Sequence, residues 1–229
     1  MPIRHAGAMA DTIAIMQPYF IPYAGYFRLF AASDLFVAYD CVQFPRRGWV
    51  HRNRLIDRSG SLRWLTLPLR KPPQDVLIRD LQFPADAEAL MAERLRPFDI
   101  GATPTERVGE LIAVIRRIEG TPVDYILRTL ECIADHLELP HNMIRSSSLN
   151  LPSSLRGQDR ILEIARQTGA RRYVNAPGGR ELYDPAAFAS AGIELHFLPD
   201  YLGLSSSILS QIMREHPKDV AREIRMSLG

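Results

Sequence analysis

The chain has 229 residues, of which 46% are hydrophobic and 24% are charged, a balance typical of a globular protein with one sizeable domain. Its net charge of +2 is too small to indicate binding to nucleic acid or to a lipid surface, so an anionic ligand would have to be recognised locally. The two cysteines form no CxxC motif, residues 1–11 lack the apolar centre of a signal peptide, and no segment reaches the roughly 18 apolar residues of a transmembrane helix. These features favour a cytoplasmic protein without membrane insertion.

Hydrophobic patterning predicts a flexible N-terminus over residues 1–11 and alternating strands and helices over residues 12–229. The predicted strands span residues 12–16, 35–39, 64–68, 141–144, 172–175 and 193–198. The predicted helices span residues 23–32, 85–95, 105–117, 123–137, 156–168 and 206–215, and Pro217 is expected to end the last of them. The alternation predicts a single α/β domain, a parallel sheet flanked by helices, with a helical insertion at about residues 85–137.

The first predicted strand leads directly into an aromatic loop, QPYFIPYAGY, at residues 17–26. Pro18 and Pro22 lack backbone donors, so the loop cannot continue a strand ladder. In a parallel sheet the loop would lie at the carboxyl end of the strand, where ligands bind. An amide, several tyrosines and a glycine that lets a ligand approach are what a pocket wall requires. The predicted pocket residues here are Gln17, Tyr19, Tyr23, Gly25 and Tyr26.

A basic segment follows the second predicted strand, at the same end of the sheet. Its guanidinium groups suit capture of phosphate or carboxylate, and its indole suits stacking. The arginines alone fit a binding site no better than they fit a solvated surface loop or a strand whose arginines alternate outward. The polar neighbours favour a site, with Asp40 as general base or metal contact and Gln43 and Gln17 beside it. The candidate substrate contacts are Arg46, Arg47, Trp49, His51, Arg52, Asn53 and Arg54.

These residues carry a family resemblance. The run IAIMQPYFIPYAGYFRLFAASDLFVAYDCVQFPRRGWVHRNRL resembles the opening of the WbqC-like family, bacterial proteins often encoded among genes for O-antigen and other surface polysaccharides. The similarity continues in WLTLPL, YVNAPGGRELYD and GIELHFL. This chain has Cys41 where the family commonly has an aspartate, which weakens a paired-carboxylate metal site, and scattered histidines give no metal motif. The resemblance implies a transferase acting on a nucleotide-activated sugar or related substrate in surface-glycan or specialised-metabolite biosynthesis.

The first predicted strand, the loop and the helix that follow it, and the second strand are also similar to the N-terminal elements of the nucleotidylyltransferase and pantothenate synthetase (HUP) superfamily. In that superfamily a helix N-terminus receives the phosphates of ATP through unpaired backbone amides. The H-x-G-H histidines of that superfamily are absent here, so adenylyl transfer that depends on them is not expected. The turn after the predicted strand at residues 172–175 and the serines before the last predicted helix add candidate contacts. The glycines of that turn are explained as well by the geometry of the turn, and the serine is explained as well by capping of the helix. These contacts are Asn175, Gly178, Gly179, Tyr183 and Ser206.

Several functional alternatives stay open. The partner that these candidates suit is a phosphorylated or nucleotide-linked small molecule, with ATP or a nucleotide sugar and Mg²⁺ as the corresponding cofactors, and no nucleic acid is expected. The transferred group is left open between acyl, aminoacyl and nucleotidylyl groups. A second hypothesis is a binding module without catalysis, and a third is that the basic segment forms a protein contact, for instance in a homo-oligomer.

Overall fold

The architecture is that of an α/β protein, in a computed structural model that describes residues 10–98 and 106–229. The strands are β1 Thr12–Met16, β2 Leu35–Ala38, β3 Arg52–Ile56, β4 Leu62–Thr66, β5 Met143–Arg145, β6 Arg172–Asn175 and β7 Glu194–Phe197. The helices are α1 Ala24–Ala31, α2 Ala87–Leu95, α3 Glu106–Arg116, α4 Pro122–His136, α5 Gly157–Thr168, α6 Pro185–Ser190, α7 Ile208–Ile212 and α8 Pro217–Met226. Within the described part of the chain, none of these helices has the length and apolar character needed to span a membrane.

Five of the strands form one parallel sheet in the order β5-β2-β1-β6-β7. From the central β1 the chain first adds β2 and β5 on one side, and then returns to add β6 and β7 on the other. In such sheets the ligand crevice lies outside the carboxyl ends of the two strands between which the order reverses. These strands are β1 and β6. The predicted parallel sheet flanked by helices is confirmed.

Both faces of the sheet are covered, which explains why β1 is apolar throughout. Successive residues of a strand point to opposite faces, so a strand buried on both sides has no polar alternation. Ala14 of β1 faces the larger core, where α1, α4, α7 and α8 pack. Ile13 and Ile15 face the smaller core under α5 and α6. The residues predicted as a helical insertion carry α2, α3 and α4, and α4 contributes Ile126 and Leu130 to the larger core.

A two-stranded hairpin replaces part of the predicted basic loop. β3 pairs with β4 in antiparallel register from Arg52 opposite Thr66 to Ile56 opposite Leu62. Asn53 and Leu55 are buried and the arginines of β3 lie on the other side, so the structure has the alternative in which the arginines alternate in a strand. One of the two buried positions of β3 is filled by Asn53 instead of an apolar residue. For this reason the strand does not show as an alternation of hydrophobic and polar residues in the sequence.

The C-terminal prediction is corrected at Pro217. This proline begins α8 instead of ending the preceding helix, because its fixed φ suits the first helical position and the His216 ring accepts a hydrogen bond from the Lys218 amide. The preceding helix α7 is accordingly short, from Ile208 to Ile212, and Ser207 is its N-cap. The short helix α6 was also not predicted, although Asp184 caps it and Pro185 opens it.

The aromatic loop is anchored by the hairpin and by α7. Ile21 has a φ of 42°, an unfavourable value for a β-branched residue. Its carbonyl accepts hydrogen bonds from Asn53 Nδ2 at 2.8 Å and from Ser207 Oγ at 2.7 Å. Asn53 Nδ2 also donates to the Phe20 carbonyl at 3.3 Å, and the Ile208 amide donates to the Pro22 carbonyl at 2.8 Å. These bonds hold the loop in a conformation that its own sequence does not favour.

Asn53→Ala should therefore destabilise the fold. Removing the amide leaves a buried carbonyl without one of its donors, and the expected loss is about 1–3 kcal/mol in the free energy of unfolding. Urea denaturation measures this loss. Gln43→Ala is the matched control, because the exposed Gln43 amide donates to the Gln74 carbonyl in a surface loop and its loss should cost under about 0.5 kcal/mol. Equal effects of the two substitutions would contradict the anchoring role of Asn53.

Candidate ligand-binding cleft

A cleft of about 630 Å³ opens at the carboxyl ends of β1 and β6, where the strand order reverses. Gln17 follows β1, Asn175 ends β6, and Tyr39 follows β2, and all three line the cleft. The remaining walls come from the aromatic loop, the start of α1, the β3 hairpin and the turn after β6. The volume falls within the range of small-molecule and cofactor sites.

The tyrosines of the aromatic loop form one wall and differ in their freedom. Tyr26 is almost fully buried, and its hydroxyl donates to the Gln17 carbonyl at 2.8 Å, so it shapes the wall from below. Tyr19 packs against it with ring centroids 5.3 Å apart. Burial raises the pKa of both Tyr19 and Tyr23, so their phenols stay protonated at neutral pH. They are therefore suited to donate hydrogen bonds and to stack, and unsuited to act as bases.

The start of α1 faces the cleft. Its N-cap residue, Tyr23, makes no side-chain capping bond, so the positive end of the helix dipole is not neutralised there by a side chain. A Cβ on Gly25 would lie 2.2 Å from the Tyr23 ring and 2.8 Å from the Tyr201 ring. Glycine at this position is thus required by the packing of two protein rings, a reason different from the predicted close approach of a ligand.

The arginines of the basic segment are distributed by the alternation of β3. Arg54 lines the cleft, and its guanidinium carbon lies 5.9 Å from the ring centroids of both Trp49 and Trp64. Arg54 Nε is buried and has no hydrogen-bond partner among the residues that the structure describes. Trp49 also lines the cleft and is partly exposed. The cleft therefore contains a cation with an unused donor beside an aromatic face.

The other basic candidates lie outside the cleft. Arg52 stacks on Trp64 at 4.4 Å and donates to the carbonyls of Gly48 and Arg47, so it fixes the turn before β3. Arg46 donates to the Pro72 carbonyl on the surface, and the Arg47 side chain is exposed. His51 packs edge-on against Phe44, with ring centroids 4.9 Å apart.

Asp40 is likewise placed outside the cleft, which corrects the expectation that it faces the aromatic wall. Its side chain is fully buried between the end of β2 and the turn after β5. One carboxylate oxygen accepts from Ser146 Oγ and from the Ser147 amide, each at 2.9 Å, and the other accepts from Ser147 Oγ at 2.7 Å. The carboxylate thus joins two strand ends. Gln43 also lies outside the cleft, in the loop after β2, where its amide donates to the Gln74 carbonyl.

The turn after β6 lies where the sequence predicts it, at the opposite wall. Asn175, Gly178, Gly179 and Tyr183 all line the cleft. A Cβ on Gly179 would lie 2.2 Å from Asn175 Nδ2, whereas nothing lies within 4 Å of the corresponding position on Gly178. Gly179 therefore accommodates Asn175, and only Gly178 leaves open space beside the cleft.

Of the three consecutive serines before α7, the one that lines the cleft is not the predicted Ser206. Ser205 lines the cleft, Ser207 caps α7, and Ser206 is buried away from the lining. Tyr39 is a cleft residue that the sequence reasoning missed. The available signal was its position, since it directly follows a central strand next to β1 at the carboxyl end of the sheet.

Comparison with known proteins agrees with the family resemblance. The model of the WbqC-like protein family matches residues 17–202. The chain belongs to the WbqC-like family. It is similar to the uncharacterized protein Rv1507c of Mycobacterium tuberculosis, with 28% identity over 195 residues that cover 83% of each chain. No solved structure matches the chain. The part matched to the WbqC-like family contains the aromatic loop, the hairpin and the turn after β6.

Asp40→Asn should lower stability and leave ligand binding in the cleft unchanged. The amide group of asparagine would present a donor to serine groups that already donate, at an expected cost of about 1–3 kcal/mol in the free energy of unfolding. Urea denaturation and calorimetric titration measure the two effects. Asp86→Asn is the matched control, because Asp86 is exposed at the start of α2 and makes no side-chain capping bond. A large loss of ligand affinity without loss of stability would instead assign Asp40 to the ligand site.

The protein should lose stability as the pH falls from 6.5 to about 4, in part through His51. Burial, followed by the nearby Arg52 and Arg94, lowers the pKa of His51 from 6.5 to about 4. The unfolded chain therefore binds a proton at this residue across a pH window in which the folded protein does not, and protonation favours unfolding. His51→Phe keeps a ring against Phe44 and removes the titration. The drop in urea midpoint across this window should be smaller in the variant, and an unchanged drop would contradict this account.

Proposed function

We propose that the cleft binds a nucleotide or a nucleotide-activated sugar and that the protein is a transferase acting on it in surface-glycan or specialised-metabolite biosynthesis. The observation that carries the proposal is the position of a cationic cleft beside an uncapped helix start, where a parallel sheet reverses its strand order. The order of the five strands is also compatible with a nucleotidylyltransferase-like arrangement.

Charge supports an anionic ligand. Among the described residues that line the cleft, Arg54 is a cation and none is Asp or Glu. The N-terminus of α1 adds the partial positive charge of its unpaired amides. A phosphate in the cleft would also pair with the charge of the Arg54 guanidinium. A cleft without carboxylates and with two positive features favours phosphate over a cationic or neutral group.

The aromatic and amide groups suit the rest of such a molecule. Tyr19, Tyr23 and Trp49 present ring faces on which a base or a sugar ring can pack. Gln17 and Asn175, at the ends of the two strands that flank the strand-order reversal, present amides for hydrogen bonds to hydroxyl or base edges. The combination of stacking faces, amides and one guanidinium is the pattern of a site that holds a mixed polar and aromatic ligand.

The residues that line the cleft can support the transfer of a phosphoryl or nucleotidylyl group by positioning the ligand and stabilising its negative charge. No His, Cys, Asp or Glu occurs among the described lining residues, and burial raises the pKa of Tyr39 to about 12. Phosphoryl and nucleotidylyl transfer depend mainly on alignment and on stabilising charge at phosphate oxygens, which Arg54 and α1 can supply. A divalent cation would have to be held by the phosphates of the ligand, because the described lining has no carboxylate.

A binding module without catalysis is the second candidate. The same lack of acid and base side chains in the described lining favours it, since acyl or aminoacyl transfer needs a proton acceptor. The two candidates differ in turnover. A transferase consumes a nucleotide sugar or ATP in the presence of Mg²⁺ and an acceptor, whereas a binding module retains the nucleotide unchanged.

Arg54→Ala should weaken nucleotide binding by roughly tenfold to a hundredfold, the range expected for a charge-assisted hydrogen bond. Calorimetric titration with nucleoside triphosphates, nucleoside diphosphates and nucleotide sugars, with and without Mg²⁺, measures the affinity. Arg46→Ala removes the same charge from the surface, where the side chain bonds only the Pro72 carbonyl among the described residues, and serves as the control. Equal affinities of Arg54→Ala and the wild type would remove the basis of the proposal.

A further inference from the structure

A second cavity, of about 470 Å³, lies one strand away from the cleft, at the carboxyl ends of β2 and β5. We refer to it as the edge pocket. Cys41 and Gln43 enter it from the loop after β2, and Ser147 enters it from the turn after β5. Its other side is formed by Arg156 and Arg160 at the start of α5 and by Arg79.

The edge pocket is positively charged. Three arginines and one carboxylate, that of Asp75, belong to its described lining. At the start of α5 the N-cap residue Arg156 makes no side-chain capping bond, but Asp159 in the first turn offsets the positive end of the helix dipole, so the charge of the pocket comes from its arginines. Arg79 contacts a carboxylate at 3.7 Å, that of Asp80, and is half exposed. The cavity therefore has a net positive lining and an open face.

Arg160 places a buried cation in the wall of the edge pocket. Its side chain is 9% exposed. One terminal nitrogen donates to the Cys41 carbonyl at 3.0 Å, but Nε is buried and has no hydrogen-bond partner among the residues that the structure describes. A buried guanidinium is costly unless its charge is compensated, and an anion in the edge pocket would compensate it.

The edge pocket and the cleft lie next to each other in the fold. Tyr39 lines the cleft and Cys41, two residues later, lines the edge pocket, as does Arg160 on α5. Ile161, the next residue of α5, also lines the cleft. The two cavities are therefore lined by neighbouring residues of the same two segments.

We propose that the edge pocket binds the carboxylate or phosphate group of a second small molecule, whose other end reaches past Tyr39 to the ligand of the cleft. The anion site depends on the geometry of the edge pocket alone. Its role as the site of an acceptor substrate rests on the proposed function. Two pockets at adjacent strand ends give a transferase separate places for donor and acceptor.

The free thiol of Cys41 provides a direct test in the intact protein. Iodoacetamide alkylates accessible cysteines, and mass spectrometry gives the rate at each site. Inorganic phosphate or malonate bound in the edge pocket should slow alkylation of Cys41 severalfold and saturably. Cys132 on α4 is the internal control, because burial raises its pKa to about 11 and neither anion is expected to change its slow reaction. Protection by phosphate alone would assign a phosphoryl ligand, and protection by malonate alone a carboxylate.

Substitution of arginines by alanine tests whether the anion binds among the arginines of the edge pocket. In Arg79→Ala/Arg156→Ala the anion concentration that gives half-protection of Cys41 should rise at least about tenfold. Arg171→Ala/Arg172→Ala removes the same charge near the opposite edge of the sheet and should change it by less than about twofold. The single variant Arg79→Ala, at a half-exposed residue, should give an intermediate effect and guards against misfolding of the double variant.

Two results would overturn the proposal. One is the absence of protection by either anion in the folded wild-type protein. The other is loss of protection in Arg54→Ala, because that loss would place the anion in the cleft. Retained protection of Cys41 together with no nucleotide binding to the wild type would refute the proposed function and leave the anion site supported, so the two failures are distinguishable.

Discussion

The carbonyl of Ile21 is the point on which the candidate site depends. It accepts hydrogen bonds from Asn53 on β3 and from Ser207 at the start of α7, and it belongs to a β-branched residue held at positive φ. Three segments distant in sequence are thereby joined at one atom. The aromatic loop can then present its tyrosines to the end of β1, and β3 can present Arg54 on its other side. Local strain is offset by contacts that only the complete fold supplies.

The parallel sheet was predictable because its strands are short apolar runs at regular intervals. The bounds of β1 and β6 agree with the prediction, and the aromatic loop lies at the carboxyl edge of the sheet, as expected. For β3 the sequence left a surface loop and a strand open, since Asn53 occupies a buried position that hydrophobic alternation reserves for apolar residues. Pro217 was ambiguous because proline both ends helices and begins them.

Residue types alone could not separate ligand contacts from structural bonds. Asp40 and Arg52 have the chemistry of functional groups but serve the fold, since Asp40 joins two strand ends and Arg52 fixes a turn. Asn53 anchors the loop and also lines the cleft. The difference lies in which side of a strand a side chain takes and which donors reach it, both of which depend on tertiary contacts. Arg54 and Arg160 are distinguished by their place, because each lines a cavity at the carboxyl ends of the parallel strands.

A titration followed through the two tryptophan indole resonances in a ¹H–¹⁵N NMR spectrum tests the central claim, that the cleft is the ligand site, most directly. Trp49 lines the cleft, and Trp64 packs beside it with ring centroids 5.3 Å apart but outside the lining. A nucleotide or nucleotide sugar bound in the cleft should shift the Trp49 indole resonance saturably and more than that of Trp64. Binding detected by calorimetry that leaves the Trp49 resonance unmoved would place the ligand elsewhere and contradict the account.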